Sequence, residues 1–136
     1  MSLGLRLNNP LYLNQDSCRP WKGEVRPSEH IKYCQFKSMA YGYRAAFKWF
    51  YNLHKDGCER LIDYILKVSP SETHNTYAHV DYVAKRCGLV DISRIDVMNK
   101  EQMCKIIAAL SRLKNYRTMP DADEINEGWE LFIEFL

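Results

Sequence analysis

The sequence lacks the short motifs on which many active sites are built. It has no P-loop, no G-x-G-x-x-G, no H-E-x-x-H and no G-x-S-x-G. Nothing in it therefore points to a phosphate cradle, a dinucleotide site, a zinc peptidase or a serine hydrolase. The five cysteines, Cys18, Cys34, Cys58, Cys87 and Cys104, form no C-x-x-C pair and are odd in number. Most stand beside apolar residues, which favours buried reduced thiols over zinc ligands or a disulfide frame. The histidines are scattered, and His74 and His79, five apart, do not stack on one helix face. No metal and no cofactor is expected. Apolar runs are short, none approaching the ~18 residues of a membrane span, and no secretory segment opens the chain. The expected setting is cytoplasmic until lysis, or virion-associated, with no membrane partner.

Basic residues are missing from the end of the chain. From Asp121 onward there are six acids and no Lys or Arg. Residues 1–70 carry 11 Lys/Arg against 6 Asp/Glu, and residues 71–136 carry 8 against 11. This is the pattern of an acidic outer helix face near a basic surface of the same fold. The bases themselves are dispersed, whereas a nucleic-acid interface needs them concentrated and interleaved with aromatics, so nucleic acid is not the expected partner.

What is present is a chain of 136 residues, enough for one domain with a real core. Nine Tyr and three Trp are many for that length, and amphipathic aromatics line clefts as well as cores. The organising stretch runs from Phe36 to His54. Ser38 is placed to cap a helix. Met39, Tyr43, Ala46, Phe47, Phe50 and Leu53 recur at spacings of three and four, the signature of an apolar helix face. Trp49 and Tyr51 widen that face until little of the helix could be wet, so a buried central helix is expected. Gly42 within it points to close approach by another backbone.

Around this helix the rest reads as mainly α with a minor β component. Trp21–Val25 and Ile31–Phe36 are expected to form a small hairpin across Pro27-Ser28-Glu29. Asn8-Asn9-Pro10 is turn chemistry. Gly57 ends the central helix. A short helix follows through Leu61, Ile62, Ile65 and Leu66 and stops before Pro70. A third starts near Asn75 and ends at Gly88. Residues 89–98 read as a loop, with Val90, Ile92 and Ile95 tucked inward. Asn99 and Gln102 open a helix that buries Met103, Ile106, Ile107, Leu110 and Leu113. Asp121 and Glu124 open the last, with Ile125, Trp129, Phe132 and Leu136 on its inner face.

Candidate chemistry is sparse. Glu24, set between aromatic residues in W-K-G-E, is the carboxylate best suited to act on a sugar, since glycosidases hold one Glu protonated in an apolar setting. A solvated hairpin glutamate is the plainer alternative.

The runs G-L-R-L-N-N-P, W-K-G-E-V-R-P-S and F-K-S-M-A-Y-G-Y-R-A-A-F together resemble a family of small phage or prophage virion structural proteins. Its pattern is G-[IL]-R-N-N-N-P-G-N-I-R, then W/Y-x-G-E, F-x-x-F-x-S and G-x-R-A. The likeness continues through Ser69-Pro70, Asn75-Thr76 and Ala108 to Arg112, and closes at Glu127 to Phe132, so it spans nearly the whole chain. The N-N-P…W-x-G…F-x-S…G string also resembles the part of bacterial glucosaminidases and other lysozyme-like proteins that follows their catalytic Glu. The resemblance implies a rearranged lysozyme-like domain over residues 1–136, with a buried central helix, a hairpin lobe and a cleft between them. It implies peptidoglycan or another glycan, or virion proteins, as partners. Asn8, Asn9, Trp21, Gly23, Phe36, Ser38, Tyr41, Arg44 and Asn75 become candidate substrate-binding residues.

The chain departs from that pattern at its centre. Where the family has S-R-V-E-N-G, this sequence reads Ser111-Arg112-Leu113-Lys114-Asn115-Tyr116, with Lys114 in place of the Glu. A lysine gives no proton to a glycosidic oxygen at neutral pH unless its pKa falls by several units. Leu11-Tyr12 replaces a Gly-Asn pair, and Glu72-Thr73-His74-Asn75-Thr76 alters the family's E-N-x-T. A non-catalytic, virion-associated binder is the leading expectation. An active peptidoglycan hydrolase or lytic transglycosylase using Glu24, and a DNA- or protein-binding accessory of a mobile element, stand as alternatives.

Overall fold

A computed structural model describes residues 1–16, 19–71 and 75–136. The expectations for Cys18 and for Glu72, Thr73 and His74 lie outside those residues. Six helices and one two-stranded antiparallel sheet are described: α1 (Leu3–Arg6), β1 (Glu24–Val25), β2 (Gln35–Phe36), α2 (Met39–Lys55), α3 (Leu61–Val68), α4 (Thr76–Cys87), α5 (Lys100–Lys114) and α6 (Ala122–Glu134). The protein is mainly α with a small β component.

The helix starts follow their capping residues. The Ser38, Asn75 and Asn99 side chains each accept a main-chain N–H from the first turn, and Asp121 accepts two. Gly57 and Gly88 take positive φ just past α2 and α4. Gln102 does not complete a reciprocal box with Asn99; its side-chain oxygen accepts instead from Asp96 N.

α2 is the centre. Tyr43, Ala45, Ala46, Phe47 and Phe50 are wholly buried, and α2 packs on α6 more extensively than any other pair of elements. Phe47 meets Trp129 edge-on with ring centroids 5.1 Å apart, and Phe50 stacks on Tyr64 of α3 at the same distance. Most acids at this end of the chain lie outward, as expected: Asp121, Asp123, Glu127, Glu130 and Glu134 are exposed, and Glu124 is half-buried. Two bases of α2 meet the far end of α6. Arg44 Nη2 donates to Phe135 O at 2.7 Å and Lys48 Nζ to Leu136 O at 3.1 Å, cations placed at the negative end of a helix dipole.

The sheet is much shorter than its sequence pattern indicates. Only Glu24 pairs with Phe36 and Val25 with Gln35. The rest of the second segment pairs with the N-terminal loop instead. Cys34 N donates to Leu13 O, Gln15 N to Lys32 O, and Asn14 bridges Tyr33. That loop opens with a one-turn helix, α1, capped by Ser2, which the turn chemistry of Asn8-Asn9-Pro10 did not reveal.

Four apolar residues are reassigned. Val90 and Ile92 are 58% and 59% exposed, and Val97 joins Ile95 in the core in their place. Leu136 is half exposed. In α3, Tyr64 and Val68 take the inward positions while Leu66 is exposed. Both of those residues extend the same 3–4 spacing from Leu61, so one helical stripe is filled by a different register of the same pattern.

Candidate functional site

A groove of about 660 Å³ lies between the N-terminal loop, the hairpin segment and helices α2 to α5. Tyr12, Trp21, Tyr33 and Trp49 line it together with Lys32, Lys67 and Lys114. Asp16 is the lone carboxylate among the described lining residues. The high aromatic content is thus partly spent on a cleft, with Tyr12 and Tyr33 edge to face at 5.3 Å. Tyr12 sits at φ 57, a left-handed conformation that costs a residue with a Cβ on the order of 1 kcal/mol.

Lys114 reaches the groove because the end of α5 is tied to the N-terminal loop by its neighbour. Asn115 is buried; its Nδ2 donates to Pro10 O at 2.9 Å and to Ser111 O at 2.7 Å, and its Oδ1 accepts from Ser2 Oγ at 2.6 Å. Tyr43 and Ser111 hydroxyls, 3.1 Å apart, hold α5 against α2. Lys114 Nζ donates to Val68 O at 2.9 Å, which joins it to the end of α3. Burial lowers its pKa from 10.5 to about 8.

That depression carries a consequence for stability. The unfolded chain keeps the Lys114 proton up to about pH 10.5, whereas the folded chain releases it near 8. Between those values the unfolded state binds more protons, so stability rises with pH there, and the penalty is fully present below 8. It amounts to on the order of 3 kcal/mol, and Lys114→Met gives back about 1 kcal/mol of that by leaving Val68 O without its partner. Lys114→Met should therefore be more stable than wild type by about 2 kcal/mol in urea denaturation at pH 7, with the gap closing as pH approaches 10. An equal gap at pH 7 and pH 10 would contradict this.

Of the other candidates, Trp21 alone lines the groove. Glu24 does not. Its side chain is fully shielded from solvent, Oε2 pairs with Arg26 Nε at 3.0 Å, and Oε1 accepts from Trp21 N at 2.9 Å. It is neither a solvated hairpin residue nor a carboxyl facing the cleft. Burial, with the Glu24 charge second, pushes the neighbouring Cys34 thiol up to about 12, too high for a thiolate nucleophile.

The remaining candidates are occupied in building the fold. Asn9 is fully buried and spans the loop, donating to Leu13 O and Cys34 O and accepting from Leu13 N. Asn8 donates to Phe36 O, and Phe36 is core. Gly23, at φ 78, lies against the Tyr41 ring, where a Cβ would come within 2.4 Å of ring carbons. Ser38 and Asn75 are helix caps, and Arg44 is buried against the end of α6. Sequence reasoning missed Tyr12, Tyr33, Trp49, Lys32 and Lys67 as a set. The surplus of aromatics was a signal for the three rings, and the two lysines had none.

No protein-family model matches this chain. It is similar to Protein P5 of Pseudoalteromonas phage PM2, with 29% identity over 130 residues. The match covers 93% of this chain and 79% of that protein. The chain is phage-related. No helix among the described residues is long and apolar enough to cross a membrane. No group of three or more His, Cys, Asp or Glu placed to hold a metal ion is found among them either.

Proposed function

We propose that this phage-related chain is a virion-associated protein whose residues 1–136 form a lysozyme-like helical domain that binds a glycan without cleaving it. The observation that carries the reading is the groove. Aromatic side chains and lysine ammonium groups line it together, the residue types that stack on sugar rings and donate hydrogen bonds to hydroxyls and acyl oxygens. The order of elements supports it as well: a buried helix, a hairpin lobe and a cleft between them are what the resemblance to lysozyme-like proteins implies. By the resemblance Lys114 stands where that family has its acid, and the Glu24 carboxylate is held in an ion pair. Most glycosidases pair an acid at the leaving oxygen with a second carboxylate across the bond, and the described lining residues include one carboxylate, Asp16.

The wild-type protein should bind chitotetraose or solubilised peptidoglycan strands and quench its tryptophan emission on doing so. Trp21→Ala and Trp49→Ala should each weaken binding about tenfold, with far-UV dichroism unchanged. Muropeptide release from purified peptidoglycan should be undetectable. Release by wild type that Lys114→Met abolishes would overturn the non-catalytic reading, because an ammonium titrating near 8 would then be acting as the acid. Absence of binding to either glycan would overturn the glycan reading itself.

A further inference from the structure

The ammonium of Lys114 has a neutral main-chain oxygen as its partner, at 2.9 Å, and no carboxylate among the described residues joins it in an ion pair. A cation withdrawn from water in this way is held at a cost unless an anion arrives to pair with it. The groove supplies the opening for one. Lys32 and Lys67 line the same space, so three ammonium groups face one carboxylate, that of Asp16, among the described lining residues. Lys67 and Lys114 belong to the adjoining ends of α3 and α5, and Val68, the residue after Lys67, accepts the Lys114 hydrogen bond. Lys67 and Lys114 thus line the groove from neighbouring helix ends, and Tyr12 and Tyr33 of the N-terminal loop and hairpin segment line it as well. Burial leaves the Lys114 ammonium the major form at neutral pH, with hydrogens to spare after the bond to Val68.

We propose that Lys114 is the carboxylate-recognising residue of the groove and that the glycan bound there is acidic, a chain of pyranosides carrying carboxylates. This rests on the glycan-binding reading and adds the substrate class to it. The carboxylate could be a lactyl ether, as on muramic acid, or the C6 acid of a uronate. Either places an anion at the rim of a sugar ring while the ring face stacks on an aromatic side chain.

Three tetrasaccharides separate the cases in calorimetric titrations of the full chain: a GlcNAc–MurNAc dimer of disaccharides, tetragalacturonate, and neutral chitotetraose. At least one acidic probe should bind about tenfold tighter than chitotetraose, since a buried charge-assisted pair is worth about that factor. The tighter of the two acids names the source of the carboxylate. Lys114→Met should bring the affinity for that acid down to the chitotetraose value. Lys114→Arg, which keeps the charge, should retain most of the preference, and Lys85→Met, which removes an exposed charge outside the groove, should retain all of it. Chitotetraose bound as tightly as both acids, or a preference that survives Lys114→Met, overturns the proposal while leaving glycan binding intact. Failure of all three probes to bind overturns both.

Discussion

Phe47→Ala should destabilise the protein by about 3–5 kcal/mol in urea denaturation, the largest effect expected from a single truncation here. Phe47 is fully buried near the middle of α2. Its ring meets Trp129 edge-on and lies 6.1 Å from that of Phe132, so it is the point where α2 and α6 share a core. Removing it leaves a cavity walled by rings that cannot close inward without moving a helix, because Tyr51 and Trp129 already brace Phe132 from other sides. The loss of edge-to-face contact adds to the transfer and cavity contributions. A measured loss below about 1 kcal/mol would mean that α2 is not the packed centre of the fold.

Gly42→Ala is the second large expectation, and it runs against helix propensity. On propensity alone, Ala in mid-helix should gain about 1 kcal/mol over Gly. A Cβ at position 42, however, would stand 2.0 Å from Asn8 O and 2.8 Å from the Pro10 ring. The obstacle is main chain, and that loop has little freedom to yield. Asn8 is tied to Phe36, Asn9 to Leu13 and Cys34, and Pro10 O to Asn115. The substitution should cost a net of at least about 2 kcal/mol. It should also disturb the groove, because the displaced loop carries Tyr12 and holds Asn115 beside Lys114. Loss of glycan binding at temperatures where Gly42→Ala is still folded would locate the link between loop and site. A variant as stable as wild type with unchanged binding would show that the loop does not rest on α2 as described.

The two expectations rest on different amounts of sequence information. The importance of Phe47 was legible from the spacing of apolar residues, since a helix repeating every 3.6 residues presents them to one side whatever it packs against. That Gly42 admits another backbone was legible as well, but the identity of that backbone was not. Asn8 is 34 positions away, and no local pattern relates the two. The same division separates the candidate residues. Matching short motifs drew attention to Asn8, Asn9, Gly23, Phe36, Ser38 and Arg44, and in the structure they hold the framework around the groove. Turn and capping residues carry a local sequence signal of their own. Groove-lining rings carry no such local mark.

What the sequence by itself determined is local. Helix starts are set by Ser38, Asn75, Asn99 and Asp121, helix ends by Gly57 and Gly88, and inward faces by apolar periodicity, because each of these depends on groups within a turn or two of one another. Only the tertiary structure decided what long-range pairing and desolvation control. The second hairpin segment divides its hydrogen bonds between β1 and the N-terminal loop, since an unpaired main chain takes whichever neighbour the fold brings alongside. Val90 and Ile92 lie on the surface although their residue types suit a core. Glu24 meets Arg26 rather than a cleft. The groove draws its rings and ammonium groups from Tyr12, Trp21, Tyr33, Trp49, Lys67 and Lys114, segments spread over a hundred residues. The pKa of Lys114 follows the same rule. A lysine in a sequence titrates near 10.5, and only the water removed by packing brings it to about 8.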